Sequence, residues 1–200
     1  MMQARCALVA LMGLAGCVAG GSATQPTAVV LDVQPTLPPG YPPKIGMLAT
    51  KLNERAEIFE THDYSIGAFD ASVQVYDFNG EIRFTLMAEQ AGRPQGKDAR
   101  AVFVRAVMRN TTQTGDLTDA VVEIITNKDF DGPRLTSVGS GATVALTSLT
   151  AMGPQGEYGH VTGTVSAQLC AATGQPPVID RTKCQPFSGS FDSDLQISGR

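Results

Sequence analysis

Tryptophan is absent from this chain, and the other aromatics, 8 Phe and 4 Tyr in 200 residues, are thinly spread. Sugars and nucleobases are commonly held by stacking on aromatic rings, so the shortage counts against a carbohydrate platform and against base stacking. Basic residues are also in deficit, with 15 Lys and Arg against 19 Asp and Glu, a formal charge of −4. Nucleic acid and anionic lipid each need a basic face, so neither is expected as a partner. Histidine occurs twice, at His62 and His160, and cysteine four times, at Cys6, Cys17, Cys170 and Cys184. None of them has zinc-like spacing, and no metal or other cofactor is expected.

The chemical motifs are equally sparse. Phosphate-cradling Gly-rich loops and dinucleotide fingerprints are missing, and Gly139-Ser140-Gly141 lacks the Gly-x-Ser-x-Gly spacing of a nucleophile elbow. A Ser-His-Asp mechanism would have to use His62, beside Asp63, or His160, at the start of a strand. A triad is defined by spatial geometry, so sequence neighbours say little about it. Beyond the N-terminus no stretch is long and apolar enough to span a bilayer as a helix.

What is present begins at that N-terminus. Met1 to Arg5 carry one positive charge and no acid, and Cys6 to Leu14 form a short apolar run that ends in small residues. This is the layout of an export signal, well short of the roughly 20 residues that a permanent span requires. Leu14-Ala15-Gly16-Cys17 resembles the lipobox of bacterial lipoproteins. The resemblance implies cleavage before Cys17, a diacylglycerol thioether on its Sγ, and usually an acyl group (palmitate, for example) on the freed amine. Several acyl chains anchor stably where a single one holds marginally. Val18 stands where an Asp tends to mark inner-membrane retention, so the resemblance implies the outer membrane of a Gram-negative cell.

With the leader gone the chain keeps about 184 residues and a formal charge near −5. That length suffices for one domain with a substantial core. Cys6 leaves with the leader and Cys17 takes the lipid, so Cys170 and Cys184 remain as a pair. In an oxidising compartment they are expected to form a disulfide, which closes a loop of about 15 residues and contributes roughly 3 kcal/mol in the chain-entropy model.

Residues 17–43 are rich in Pro, Gly, Ser and Thr and read as a tether, with residues 44–200 as a β-domain. Ala28-Val29-Val30-Leu31-Asp32-Val33 has an alternative reading as an added edge strand. Past the tether, period-two alternation dominates. Asn79-Gly80 is the residue pair favoured in two-residue hairpin turns, and pairing across it sets Val75 opposite Phe84, Val73 opposite Leu86 and Ala71 opposite Ala88 on one face. Gln74 with Thr85 and Tyr76 with Arg83 take the other. Val102, Val104, Ala106 and Met108 alternate with more polar neighbours, as do Val122 and Ile124 around Glu123, and Val144 and Leu146 mark another strand. Val161, Gly163, Val165, Ala167 and Leu169 face one way on a late strand; Phe187, Phe191, Leu195 and Ile197 do so on the last. These two strands are expected to form an antiparallel pair, stapled near its open end by Cys170 and Cys184.

Strands with one apolar face each must bury those faces together. The expected fold is therefore all-β, an antiparallel two-sheet sandwich with a small β-barrel as the alternative. Ile45, Leu48, Leu52, Ala56 and Phe59 fit helical spacing, which predicts a short helical segment near 45–54, followed by a strand.

Three polar groupings are candidate chemistry. Asn127-Lys128-Asp129-Phe130-Asp131-Gly132 begins like a calcium loop, but its twelfth position is Val138 where a bidentate Glu is needed, so a polar turn is expected. Asp192 and Asp194 share an outward strand face that could help bind a cation. Arg105 and Arg109 share a face with Phe103 and Val107, a mixed surface for a partner or for packing under a loop. The expectation is a lipid-anchored envelope protein whose β-domain is a non-enzymatic binding or structural module for another envelope protein, peptidoglycan or a surface ligand. The alternatives are an envelope hydrolase using His62 or His160, and a carrier of a small apolar ligand.

Overall fold

The computed structural model describes residues 40–64, 71–92, 99–126, 129 and 131–198. The leader, Cys17, the tether up to Pro39 and the run from Ala28 to Val33 lie outside them. Eleven strands follow in order: β1 (Lys44–Leu52), β2 (Arg55–His62), β3 (Val73–Phe78), β4 (Glu81–Gln90), β5 (Arg100–Met108) and β6 (Gly115–Asp116), then β7 (Thr118–Thr126), β8 (Arg134–Thr136), β9 (Ala142–Met152), β10 (Tyr158–Thr173) and β11 (Val178–Ser198). Among the described residues no helix is long and apolar enough to cross a membrane.

The expected all-β class holds, and the pairings close on themselves. A continuous ring runs β11–β3–β4–β5–β7–β8–β10 and back to β11. Six of its seven contacts are antiparallel, and the seventh, β11 with β3, is parallel, with Ile197 opposite Val75. The all-antiparallel expectation fails at this one place for a geometric reason. In a ring with an odd number of strands, direction cannot alternate all the way round, so one contact must be parallel. Closure leaves this ring without a free edge.

Two stretches of wall are filled at more than one level. Between β11 and β4, the β1–β2 hairpin occupies one level and β3 the other, with β1 on Phe187 to Ser193 and β3 on Gln196 to Ser198 of β11. On the far side β8 bridges β7 to β10 at Thr136, while β9 pairs lower on β10 and also with β6.

The interior is a single apolar cluster. Phe84 stacks on Phe191 at 5.7 Å between ring centroids, and Val75, Leu86, Val104, Val161 and Leu195 are buried around them. Glycine lets strands bend inward without a side chain to accommodate. At Gly163 a Cβ would overlap the Phe191 ring and the carbonyl of Ala145.

The hairpin at Asn79-Gly80 forms in the expected register, with Val75 opposite Phe84 and Val73 opposite Leu86. Both turn residues have positive φ, 57° and 85°. The third expected pair does not form: the ladder stops at Val73, and Ala71 instead makes an isolated bridge to Asp63. Ser72 keeps half of the expected pairing, its carbonyl accepting the Met87 N–H in register with the hairpin while its own N–H donates to the His62 carbonyl.

The helical segment expected near 45–54 is corrected to strand β1, a tight turn at Asn53-Glu54, and the start of β2. Leu48, Thr50 and Leu52 form its inward row, and Thr50 is buried because its hydroxyl donates to the Glu57 carbonyl at 3.1 Å. A polar residue at an inward position concealed the period of two and left Leu48 and Leu52 at helix-like spacing.

Cys170 and Cys184 are disulfide-bonded, as expected. They are direct cross-strand partners, and β10 and β11 continue beyond them to a turn after Thr173. The segment between them is therefore a continuation of the hairpin, interrupted by a bulge after Cys170.

Candidate functional site

The side of the barrel built by β9, β10, β11, β1 and β2 presents a wide outward face whose side chains are mostly small. Register places them in rows across the strands. Ser148, Thr162, Asp192, Met47 and Glu60 form one row; Ala145, Thr164, Ser190, Ala49 and Ile58 form the next. Alternation puts hydroxyls and methyls outward here because the partner positions, such as Val161, Val165 and Phe191, are buried in the core. A shallow open groove of about 350 Å³ runs over this face, floored by Gly163 and Phe191 and flanked by Met47, Thr164 and Ser190. The Ser148 and Thr162 hydroxyls are bonded to each other at 2.7 Å.

At one end of the groove His160 sits between two carboxylates. Its Nε2 lies 3.1 Å from Asp192 Oδ1 and its Nδ1 2.9 Å from Asp194 Oδ1. Strand register produces this, since His160 is opposite Asp194 and the other Asp is two residues away on the same face. The carboxylates approach different ring nitrogens, so the trio is a carboxylate–imidazole–carboxylate bridge rather than a convergent ligand set. Among the described residues no group of three or more His, Cys, Asp or Glu is arranged to hold a metal ion.

His62 lies elsewhere, on the inward end of β2, and is 1% exposed. The Tyr41 ring meets it edge-on at 5.0 Å between centroids, and Tyr64 lies at 6.2 Å. Tyr41 donates its hydroxyl proton to buried Glu89, and the His62 N–H donates to Ser72 Oγ at 2.8 Å. Burial pushes the Tyr64 hydroxyl up to about 12. Imidazole, carboxylate and two phenols thus share one buried neighbourhood, and the Ser72 hydroxyl there accepts a backbone hydrogen bond. Sequence adjacency singled out Asp63 as the neighbour of His62, whereas Glu89, 27 positions away, was not legible because β4 brings it in through its pairing with β2.

The other candidates resolve into structural roles. Asp129 Oδ1 accepts the N–H groups of Asp131 and Gly132 at 3.0 and 2.9 Å, a self-capping polar turn; Asn127, Lys128 and Phe130 lie outside the described residues. The Ser140 hydroxyl donates to the Gln168 carbonyl at 2.6 Å. Arg105 lies against Glu123 at 3.1 Å, and the same carboxylate holds buried Arg134 at 3.3 Å. Arg134 in turn donates to the Gly174 carbonyl at 2.9 Å, which ties β8 to the β10–β11 turn. Arg109 is exposed just past β5, and its backbone N–H donates to Gln113.

No family model, no curated protein and no solved structure matches this chain.

Proposed function

We propose that this protein is a lipid-anchored component of a bacterial envelope, held through Cys17 in the outer membrane, and that its barrel is a non-enzymatic binding module. The binding surface is the outward face of β9, β10, β11, β1 and β2. The observation that carries this reading is that face itself: adjoining strands offer Ser, Thr and Ala around an open groove, where short side chains allow a partner to approach the sheet closely. Another envelope protein or peptidoglycan presents the hydrogen-bonding groups such a surface matches.

Two features weigh against the rival functions. The interior is occupied by Phe84, Phe191 and their aliphatic neighbours, which leaves a carrier of a small apolar ligand little room inside the ring. For a hydrolase, His160 has an orienting Asp194, but the neighbouring hydroxyls of Ser148 and Thr162 are bonded to each other.

Two measurements test the proposal. Intact mass of the membrane-extracted protein should show a chain beginning at Cys17 with acyl groups added; a mature chain without acyl mass would refute the anchor. Thr164→Arg and Ser190→Arg should abolish recovery of the partner from envelope extracts while the protein remains folded, and recovery at the native level would refute the face.

A further inference from the structure

The ring has no free edge, but β9 does. From Val144 to Leu146 it is engaged on both sides, by β10 and by β6 with the Leu117 N–H bonded to the Val144 carbonyl. At Thr147 the β9–β10 ladder slips by one residue, and the strand then continues through Ser148, Leu149, Thr150 and Ala151 to Met152 with β10 on one side alone. Among the described residues no strand pairs with its other side. An antiparallel strand turns the N–H and C=O of every second residue away from its neighbour, so this stretch presents a row of backbone donors and acceptors outward.

Such an edge is normally disarmed by Lys, Pro, an inward charge or a cover. Residues 147–152 contain none of those residues, and Thr147, Thr150, Ala151 and Met152 are exposed. Met152 lies opposite Tyr158, and the two side chains, 47% and 40% exposed, form an apolar strip beside the edge.

We infer that this edge is the site at which a second copy of the chain adds its own β9, antiparallel across a two-fold axis, to make one sheet continuous through two barrels. Two properties select a second copy. An antiparallel edge is complementary to itself, so the same six residues supply both halves of an isologous contact. The chain also carries net negative charge, and residues 147–152 form an uncharged stretch on which two such molecules can meet without opposing carboxylates. Six residues per copy bury less than the roughly 1,200 Å² of a stable interface, so the dimer is a weak one in dilute solution. Confinement of both copies to one membrane, if the anchor proposed above is correct, raises their effective concentration and favours pairing.

The test is thiol cross-linking of the full chain in intact cells with a short bismaleimide. Thr150→Cys should give a species of doubled mass, and Thr143→Cys, exposed on the same strand but seven residues from Thr150 and so held far from its own copy across the two-fold axis, should not. Adding Ala151→Lys to Thr150→Cys should reduce the doubled species at least about fivefold, because an edge Lys is a device that blocks strand addition. Unchanged circular dichroism of each variant shows that folding was not lost. Hydrogen exchange of residues 147–152 separates the remaining outcomes. A monomer with fast-exchanging edge amides overturns the inference. So does a monomer with protected edge amides, whose edge is covered by its own chain, and a doubled species in which the second member is a different protein. None of these outcomes bears on acylation of Cys17, which the intact mass reports separately.

Discussion

Among the described residues the Tyr64 hydroxyl, shielded from solvent, has no hydrogen-bond partner. A buried polar group in that condition costs free energy, and deleting it returns the cost. Tyr64→Phe is therefore expected to stabilise the protein by about 1 kcal/mol, read from the midpoint of a urea titration at pH 7. The same residue fixes a pH dependence. Burial raises its hydroxyl to about 12 from an ordinary value of 10, so the folded state holds the proton more tightly than the unfolded chain. Its contribution is complete below pH 10 and is lost as the pH rises from 10 towards 12. Absorbance titration of the phenolates should lose its component near pH 12 in Tyr64→Phe, and the alkaline fall in melting temperature should become shallower; a fall equal to the native one would contradict this. At Gly163 the expectation is the reverse in sign. An added methyl has to displace the Phe191 ring or the backbone at Ala145, and overpacking of that kind costs about 1–3 kcal/mol, so Gly163→Ala should lower the urea midpoint. Neither residue could be ranked from sequence. Gly163 sat correctly on the inward row, but its tightness depends on a phenylalanine 28 positions away, and Tyr64 owes its burial to tertiary packing.

At the level of elements, hairpins were the readable unit. Asn79-Gly80 combines two residues that tolerate positive φ with alternation on both sides, and register followed from that agreement. Gly80 has open space around its Cα, so Gly80→Ala carries backbone strain alone and should cost about 1 kcal/mol in chemical denaturation. A cost near zero would mean the turn is not held at positive φ. The Asn53-Glu54 turn has the same backbone sign with no glycine, so nothing in the sequence marks its hairpin and the apolar spacing over β1 reads as helix. The disulfide was legible from cysteine arithmetic, although its place on directly opposed residues of a continuous hairpin was not. Replacing both Cys170 and Cys184 with Ser should cost about 3 kcal/mol by the chain-entropy argument, less whatever the flanking hairpin retains in the unfolded chain. Thermal melting of the double variant measures it.

For the whole molecule, the alternation of apolar residues fixed the all-β class, but closure into a ring is a property of distant segments. The deciding contact joins Val75 to Ile197, more than a hundred residues apart, through a parallel pairing that no local pattern encodes. Candidate chemistry was legible in the same partial way. His160 and the two Asp residues were each singled out, and register brings the three together, whereas the wide Ser/Thr/Ala face emerges when five strands are laid side by side. That face is the centre of the functional account, and site-specific photocrosslinking in intact cells tests it most directly. A photoreactive residue at Thr164 should capture a single envelope partner, and the same residue at Arg105, exposed on β5 across the ring from β10 and β11, should capture none. Capture absent at Thr164, or equal at both positions, would contradict the account.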